Sequence, residues 1–246
     1  MRPDGRRNNQ LREVTLEPNV SDFAEGSCLS VWGKTRVLCT ASVEQRVPRW
    51  FENGENRGWI TAEYAMLPRS NRSRSRRDGR NGVSGRTLEI QRLIGRSLRG
   101  VTDLSKMPGL TITVDCDVIQ ADGGTRTASV TGAFVALAYA LQWCKKEKLI
   151  ETMPLIDTVA GVSVGIVDGQ LCLDLEYAED SVAEVDANFV ITGRGGLIEV
   201  QGTAEGAPFS DQDLNKMLTM AKAGCKKLKA LQGKVIVPKL IIRKGL

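Results

Sequence analysis

Residues 110–146 read LTITVDCDVIQADGGTRTASVTGAFVALAYALQWCKK, and this stretch decides the fold class of the chain. Its opening run, as far as residue 119, is β-rich, and the pair Gly123 and Gly124 then breaks the pattern. From about Ser129 to Lys146 the residues are apolar on nearly every side of a helix. A helix of that kind is buried in a core. The stretch therefore predicts a strand, a tight turn and a central, buried helix.

Strand pairs flank this central segment on both sides. Residues 27–46 form two β-rich runs around a turn at Gly33, and residues 159–177 repeat the arrangement around Asp168 and Gly169. Two β-rich runs separated by a glycine-containing turn indicate a hairpin. We therefore expect a strand pair to open each half of the chain.

Each half also contains a helical stretch. Apolar residues recur at helical spacing after Gly85, and a second such run follows Ser210, whose combination with Asp213 is typical of a capping box. The order of strands and helices predicts an α/β (α+β) fold. We expect a single domain over residues 1–246, built from two similar halves at residues 1–150 and 151–246.

Composition indicates a globular protein. Hydrophobic residues make up 41% and charged residues 26% of the 246 residues, which is ordinary for a folded domain. No window approaches the ~18 consecutive apolar residues of a membrane span, and the first residues lack the apolar region of a signal peptide. We expect a cytoplasmic protein with no membrane association.

The chain has no histidine, and this excludes several classes of enzyme. Serine and cysteine nucleophiles paired with histidine are ruled out, as are the histidine zinc motifs. Catalysis must then depend on carboxylates, cations, hydroxyls or metal ions. The six cysteines are scattered singly through apolar runs, so we expect buried free thiols rather than metal ligands.

Positive charge is concentrated in one segment. Residues 69–99 contain ten arginines and two acidic residues, whereas the whole chain has a net charge of +5. Residues 69–80 are polar, contain glycine and lack apolar periodicity, which indicates a mobile loop. Because arginine favours planar contacts to phosphate, we interpret the loop as a contact for RNA or DNA rather than a merely solvated segment. The candidate RNA-binding residues are Arg69, Arg72, Arg74, Arg76 and Arg77.

Two short motifs at predicted helix starts are typical of anion binding. In GGTR at residues 123–126 the glycines let the backbone approach an anion closely, and the helix dipole, the Thr125 hydroxyl and the Arg126 guanidinium favour phosphate. GRT at residues 85–87 places a second arginine, Arg86, at a helix start. Glycines also serve plain tight turns, so either motif alone leaves that alternative open. Together they predict a shared phosphate pocket.

An acidic stretch is the counterpart of these arginines. Residues 174–186 contain six carboxylates and no lysine or arginine. Such carboxylates need a metal ion, a distant arginine or full solvation. If the stretch is extended, five of them lie on one face, namely Asp174, Glu176, Asp180, Glu184 and Asp186. One or two could bind Mg²⁺ for phosphoryl chemistry; an acidic strand edge that discourages aggregation is the alternative.

Longer motifs in the chain resemble one known enzyme family. They are RPDGR at residues 2–6, GWITAEY at 58–64, MLPR at 66–69, EIQRLIGR at 89–96, QADGGTRTAS at 120–129, LEY at 175–177, EDS at 179–181 and EVQGTAEG at 199–206. In this order, and over nearly the whole chain, they resemble the ribonuclease PH family. These are phosphorolytic 3′ to 5′ exoribonucleases, similar to the core domains of polynucleotide phosphorylase and of the exosome ring.

The resemblance implies a fold, an assembly, an activity and roles for particular residues. It implies two β-α-β-like halves of the ribosomal protein S5 domain 2-like type, a homo-hexamer built as a trimer of dimers, and trimming of transfer RNA 3′ ends with inorganic phosphate. The residues implied to hold that phosphate are Arg86, Gly124, Thr125 and Arg126. Asp180 and Asp186 are implied to be the catalytic pair, which binds Mg²⁺ or assists proton transfer to the departing 3′ oxygen.

Two positions depart from the family pattern. A threonine-histidine step usually follows the Pro-Arg, where this chain has Ser70, Asn71 and Arg72, and the usual Asp-Met-Asn here contains Ala187. Neither departure removes a proposed catalytic group. The alternative function is a catalytically inactive RNA-binding ring subunit, which would be expected to lack the phosphate arginines or the acidic pair. Hydrolysis is disfavoured, because phosphate-holding arginines have little use when water is the nucleophile.

Overall fold

The computed structural model describes residues 2–51, 56–77 and 82–236, and its first sheet has five strands. These strands are β1 (Val14–Pro18), β2 (Gly26–Trp32), β3 (Thr35–Glu44), β4 (Trp59–Met66) and β5 (Thr111–Gln120). They lie in the order β1-β2-β3-β5-β4, and all neighbours are antiparallel except β4 and β5, which are parallel.

The second sheet has four antiparallel strands. They are β6 (Val159–Val167), β7 (Gln170–Leu173), β8 (Val185–Thr192) and β9 (Leu197–Ala204), in the order β7-β6-β8-β9. Both predicted hairpins are confirmed, β2 with β3 and β6 with β7. Asp168 and Gly169 both have positive φ, 49° and 68°, which matches the right-handed twist of the strands that they join.

Four helices lie within the described residues. They are α1 (Gly85–Arg99), α2 (Thr125–Lys146), α3 (Tyr177–Asp180) and α4 (Asp211–Val235), with a 3₁₀ turn at Leu104–Lys106. Helix α2 lies between the sheets, against β2 and β3 on one side and β6 on the other. By length and hydropathy α2 could cross a membrane, yet 83% of its most apolar window is buried inside the protein. It is therefore the central core helix that the sequence predicts.

Small residues let α2 approach the first sheet at backbone distance. A Cβ atom added at Gly26 of β2 would lie 2.1 Å from the carbonyl oxygen of Ala136 and 2.5 Å from the nitrogen of Ala140. One added at Gly132 would lie 2.8 Å from Ser30 Cβ. No real Cβ atom sits that close to backbone, so Gly26 fixes the separation of sheet and helix.

The outer helices begin where the sequence predicts. The Ser84 hydroxyl accepts a hydrogen bond from the backbone N–H of Thr87 at the start of α1, and the Ser210 hydroxyl accepts one from Asp213 at the start of α4, each at 3.1 Å. Helix α1 covers β4 and α4 covers β6. Helix α2 starts at Thr125, about one turn before the predicted Ser129, because Gly124 is its N-cap.

The structure overturns one expectation and adds two strands. The acidic stretch is not extended: Glu176 and Glu179 form a capping box around the single turn α3, and Asp174 has a positive φ of 57°. The five carboxylates that we expected on one face of an extended strand therefore do not share a face, and that prediction was wrong. Strands β1 and β4 were not predicted, since neither is part of a hairpin with a recognisable turn.

The described cysteines and the core agree with the composition. All six cysteines are free and buried, as expected. One hydrophobic cluster contains residues from both sheets and from α1, α2 and α4. The single domain and its division near residue 150 stay predictions.

We expect Gly26→Ala to lower the free energy of unfolding by at least about 2 kcal/mol, because the new methyl group meets helix backbone that cannot rotate away. Gly233→Ala is the matched control: a Cβ there meets nothing within 4 Å inside α4, so it should stabilise the protein by about 0.5–1 kcal/mol. Urea unfolding of both variants measures the difference. Equal stability of the two would contradict the close approach.

Candidate active site

The GGTR turn occupies the junction between β5 and α2. Gly123 and Gly124 have left-handed backbone angles, with φ of 74° and 65°, and Gly124 is the N-cap of α2 without any side-chain cap. The first N–H groups of a helix have no partner within it, and the helix dipole adds partial positive charge there. This geometry is that of an anion-binding helix start.

Thr125 is held at this start by a hydrogen bond from the first sheet. The Tyr64 hydroxyl, on β4, donates to Thr125 Oγ1 at 2.9 Å. Burial raises the pKa of Tyr64, whereas the positive charges of Arg86 and Arg126 oppose that rise. Tyr64 therefore stays neutral, and it lies within electrostatic reach of both arginines that the sequence singles out.

Gly123 and Gly124 are required by what packs against them. A Cβ at Gly123 would lie 2.6 Å from the carbonyl oxygen of Leu175, and one at Gly124 would lie 2.9 Å from Nη2 of Arg12. The turn therefore touches the segment that leads into α3 on one side and a buried arginine on the other.

Arg12 joins the turn to the acidic stretch. Its Nη1 donates to the carbonyl oxygen of Asp122 at 2.6 Å and its Nη2 to that of Gly123 at 3.3 Å. The same guanidinium binds the Asp174 carboxylate through Nη2 at 2.7 Å and Nε at 3.1 Å. Arg12 is buried and Asp174 is fully buried. Asp174 is thus a structural partner of Arg12 rather than a metal ligand.

A second buried ion pair holds helix α3. Arg2 donates to both carboxylate oxygens of Glu179, Nε to Oε1 and Nη2 to Oε2, each at 2.6 Å. Burial opposes the charge on Glu179, but the hydrogen bonds from Arg2 outweigh it and lower the pKa of this carboxyl. Distant arginines therefore satisfy two of the six carboxylates, which is one of the possibilities that the sequence left open.

Asp180 and Asp186 have no such partner. Asp180 ends α3, and Asp186 lies near the start of β8. Burial raises the pKa of both carboxyls. It reaches about 6 for Asp186, with the charge of Asp180 adding to the rise and those of Arg126 and Arg86 opposing it. Within the described residues, Oδ1 of Asp186 is buried without a hydrogen-bond partner. This environment favours a protonated carboxyl or a bound cation at the pair.

The electrostatic contacts bring Arg86, Arg126 and the acidic pair together. Both arginines act on both aspartates and on Tyr64, whose hydroxyl contacts Thr125. Arg126 Nη1 is oriented by Gln201 Oε1 at 2.8 Å and Glu89 Oε1 at 3.3 Å. Arg86 is exposed. Sequence reasoning predicted the arginines and aspartates but missed Arg12, Arg2, Tyr64 and Gln201, which carry no local signal of their long-range contacts.

Two carboxylates with raised pKa and one unpartnered oxygen fit a divalent cation. Mg²⁺ needs only one or two protein carboxylates and keeps several waters. Within the described residues no cluster of three or more candidate ligands is present, so the acidic pair alone would hold such an ion. Ala187 next to Asp186 is fully buried in the core.

The predicted RNA-binding arginines begin beside the GGTR turn. The backbone N–H of Ala121 donates to the carbonyl oxygen of Ser70 at 2.9 Å, which ties the loop to the end of β5. All five arginines are exposed, and in the part of the chain that the structure describes none makes an ion pair. The end of the predicted loop at residues 78–80 lies outside the described residues.

Two family models match most of the chain. Residues 10–141 match domain 1 of the 3′ exoribonuclease family and residues 157–224 match domain 2. Relatives named Ribonuclease PH include those of Methylobacterium radiotolerans, 58% identical over 96% of this chain and 100% of that protein, and Rhodospirillum rubrum, 56% identical over 94% and 97%.

Solved structures share the fold. An Archaeoglobus fulgidus exosome with RNA bound to the active site matches with a TM-score of 0.80 at 23% identity, covering 93% of this chain and 91% of that one. An archaeal exosome core matches with a TM-score of 0.75 at 23% identity, over 94% and 89%. At this identity the likeness shows the fold alone.

We expect Asp186→Asn to raise the free energy of unfolding at pH 8 by about 1–3 kcal/mol in the absence of divalent cations. The pKa of this carboxyl rises from its usual 3.8 to about 6 on folding, so between these values the native state binds more protons than the unfolded state. Wild-type stability then falls as pH rises through that window, and the asparagine variant escapes the loss. Urea unfolding at pH 4 and pH 8, with the exposed Asp22→Asn as control, measures this. A gain that is the same at both values would contradict the burial of the charge.

Proposed function

This chain belongs to the 3′ exoribonuclease family, and we propose that it shortens RNA from the 3′ end by phosphorolysis, releasing nucleoside diphosphates. The observation that carries the proposal is the convergence of a helix start, two arginines and two partly buried carboxylates. Relatives more than half identical over nearly their full length are named Ribonuclease PH, which supports the same activity.

Inorganic phosphate occupies the start of α2 in this mechanism. The backbone N–H groups after Gly124 and the Thr125 hydroxyl donate to it, and the Arg86 and Arg126 guanidinium groups neutralise it. Because Gln201 and Glu89 orient Arg126, its side chain is positioned before phosphate arrives.

The chemical step is an in-line exchange at phosphorus. An oxygen of the bound phosphate attacks the phosphorus of the last phosphodiester, the bond to the 3′ oxygen breaks, and that oxygen takes a proton. The Asp186 carboxyl, with a pKa of about 6, can supply that proton when no cation is bound to it; when ionised, it can instead help to hold a cation. Bonds of comparable energy are exchanged, so nucleotide addition from diphosphates is the reverse reaction.

We propose Mg²⁺ as the cofactor, held by Asp180 and Asp186. When bound, it offsets negative charge on the bridging phosphate and the leaving oxygen. The raised pKa of both carboxyls and the unpartnered oxygen of Asp186 support this assignment.

Substrate and assembly belong to the same proposal. The exposed arginines beside the turn suit the backbone of structured RNA, with transfer RNA 3′ ends as the substrate. We propose a homo-hexameric ring of three dimers, as the family resemblance implies. We also propose a cytoplasmic location. Six reduced, buried cysteines are consistent with that location. The inactive-subunit alternative is not favoured, because every group that it would lack is present.

One assay tests the activity. A 3′-tailed RNA is incubated with the protein and Mg²⁺, with and without inorganic phosphate, and the released nucleotide is identified. Diphosphate released only when phosphate is present supports phosphorolysis. Monophosphate released without phosphate would show hydrolysis, and no release in either condition would favour the scaffold alternative.

We expect Arg126→Ala to slow phosphorolysis at least about 100-fold, because a charge-assisted contact to the reacting anion is lost. RNA binding should change little, since this guanidinium serves the small anion rather than the polymer. Single-turnover rates at saturating phosphate and filter-binding measurements separate the two effects. Arg36→Ala, which changes an exposed arginine on β3, is the control. An unchanged rate would exclude Arg126 from the site.

We expect alanine at Arg72, Arg74, Arg76 and Arg77 together to weaken binding of transfer RNA and to flatten its salt dependence. Each phosphate contact contributes about 0.7–0.9 to the slope of log affinity against log salt, so the slope should fall by up to about 3 units. Turnover of a short single-stranded oligonucleotide at saturation should change much less. If the variant keeps the wild-type slope, the loop does not contact RNA.

A further inference from the structure

A second cationic cavity lies far from the candidate active site. It has a volume of about 630 Å³ and is formed between the turn after β8 and one face of α4. Asp186 and Thr192 are six residues apart on β8, which at about 3.3 Å per residue separates the cavity from the acidic pair by about 20 Å. Nothing in the phosphorolytic mechanism uses this cavity.

Four cations line it and no acidic side chain is among its described lining residues. Lys222, Lys226 and Lys229 follow one another at helical spacing on α4, and Arg194 extends from the opposite turn. Like charges at this spacing destabilise a helix unless an anion accompanies them. Repulsion among these lysines therefore destabilises α4, and a bound anion would relieve that repulsion.

Two of these lysines are unengaged. Lys229 Nζ donates to the carbonyl oxygen of Gly193 at 2.8 Å, which fixes it at the cavity wall. Within the described residues Lys222 and Lys226 are exposed, with neither a hydrogen bond nor an ion pair. Asp157 lies behind the turn, and its carboxylate accepts hydrogen bonds from the backbone N–H groups of Thr158 and Arg194.

The rest of the cavity suits an uncharged group. Its floor contains the buried residues Ala160, Ile191 and Cys225. Burial raises the pKa of the Cys225 thiol to about 12, so the floor carries no charge at neutral pH. Thr158 also lines the cavity, and its hydroxyl oxygen has no hydrogen-bond partner within the described residues. Cations at one wall and an apolar floor suit a ligand with an anionic end and an uncharged end.

We propose that this cavity is a second nucleotide site, where Lys222, Lys226 and Lys229 bind phosphate groups and the apolar floor receives the base or sugar. The volume lies within the range of about 300–1,000 Å³ typical of small-molecule sites. The nucleotide is either free or part of an RNA chain held upstream of its 3′ end. Both sources present the same phosphate chemistry to the lysines.

The test measures binding in full-length protein with Arg126→Ala as the background, which weakens anion binding at the phosphorolytic site. Fluorescent adenosine diphosphate and a labelled single-stranded RNA are the two probes. Adding Lys222→Gln and Lys226→Gln should weaken binding of at least one probe about 10-fold or more. The matched control removes two exposed lysines elsewhere, with Lys145→Gln and Lys146→Gln at the end of α2.

The outcomes distinguish the sources and the proposal. Loss confined to adenosine diphosphate identifies a free-nucleotide site, and loss confined to RNA identifies an upstream contact for the chain. Without ligand, the double glutamine variant should melt at the same or a higher temperature than its background, since the lysine repulsion is relieved. Unchanged affinity for both probes, or an equal loss in the Lys145 and Lys146 control, overturns the proposal whether or not the protein is a phosphorolytic enzyme.

Discussion

The buried ion pair between Arg12 and Asp174 is the contact on which the candidate site depends. The Arg12 guanidinium donates hydrogen bonds to the Asp174 carboxylate and to the carbonyl oxygens of Asp122 and Gly123. Removing the Asp174 carboxylate would leave the Arg12 guanidinium buried without an acidic partner, which costs several kcal/mol, about 3–5 in comparable cases. Removing Arg12 would leave Asp174 only its longer contact with Nη1 of Arg6, at 3.4 Å. The turn and the acidic stretch are therefore locked to each other rather than placed independently.

This ion pair fixes the position of the anion-binding start of α2 relative to the acidic stretch. Helix α2 starts at the turn, and α3, which carries Asp180, follows Asp174 after only a few residues. The Arg2 and Glu179 pair fixes α3 again from its other side. A Cβ atom at Gly123 would lie 2.6 Å from the carbonyl oxygen of Leu175, so the turn packs directly on the segment that leads into α3. Such preorganisation lets the site stabilise charge without rearranging during the reaction.

Local pattern predicted what depends on local chemistry. The hairpins, the helical runs of α1 and α4, the cap at Ser210, the buried α2 and the turn at Gly123 and Gly124 all have signals within a few residues, and all are confirmed. The pairing of Arg12 with Asp174 spans 162 positions, and no periodicity encodes a contact of that length. The expectation of an extended acidic stretch failed for a related reason. Asp174 and Glu179 pair with arginines that are distant in sequence, and the backbone forms the turn α3 instead of a strand. Of the other four carboxylates, Glu176 caps α3 and Glu184 accepts a hydrogen bond from the backbone N–H of Gly169. Asp180 and Asp186 are the two that lie within electrostatic reach of Arg86 and Arg126.

The charges of the site indicate how substrate binding affects the acidic pair. In the free protein two arginines face two carboxylates, so the local charge is near balance. Inorganic phosphate and the last phosphodiester of RNA both add negative charge, which disfavours the ionised form of Asp186 beyond the effect of burial alone. In the proposed mechanism, arrival of the substrates therefore favours either protonation of Asp186 or binding of a divalent cation by the pair. Either result would supply what the leaving 3′ oxygen needs, and burial has already raised the pKa of Asp186 in the free protein in the same direction.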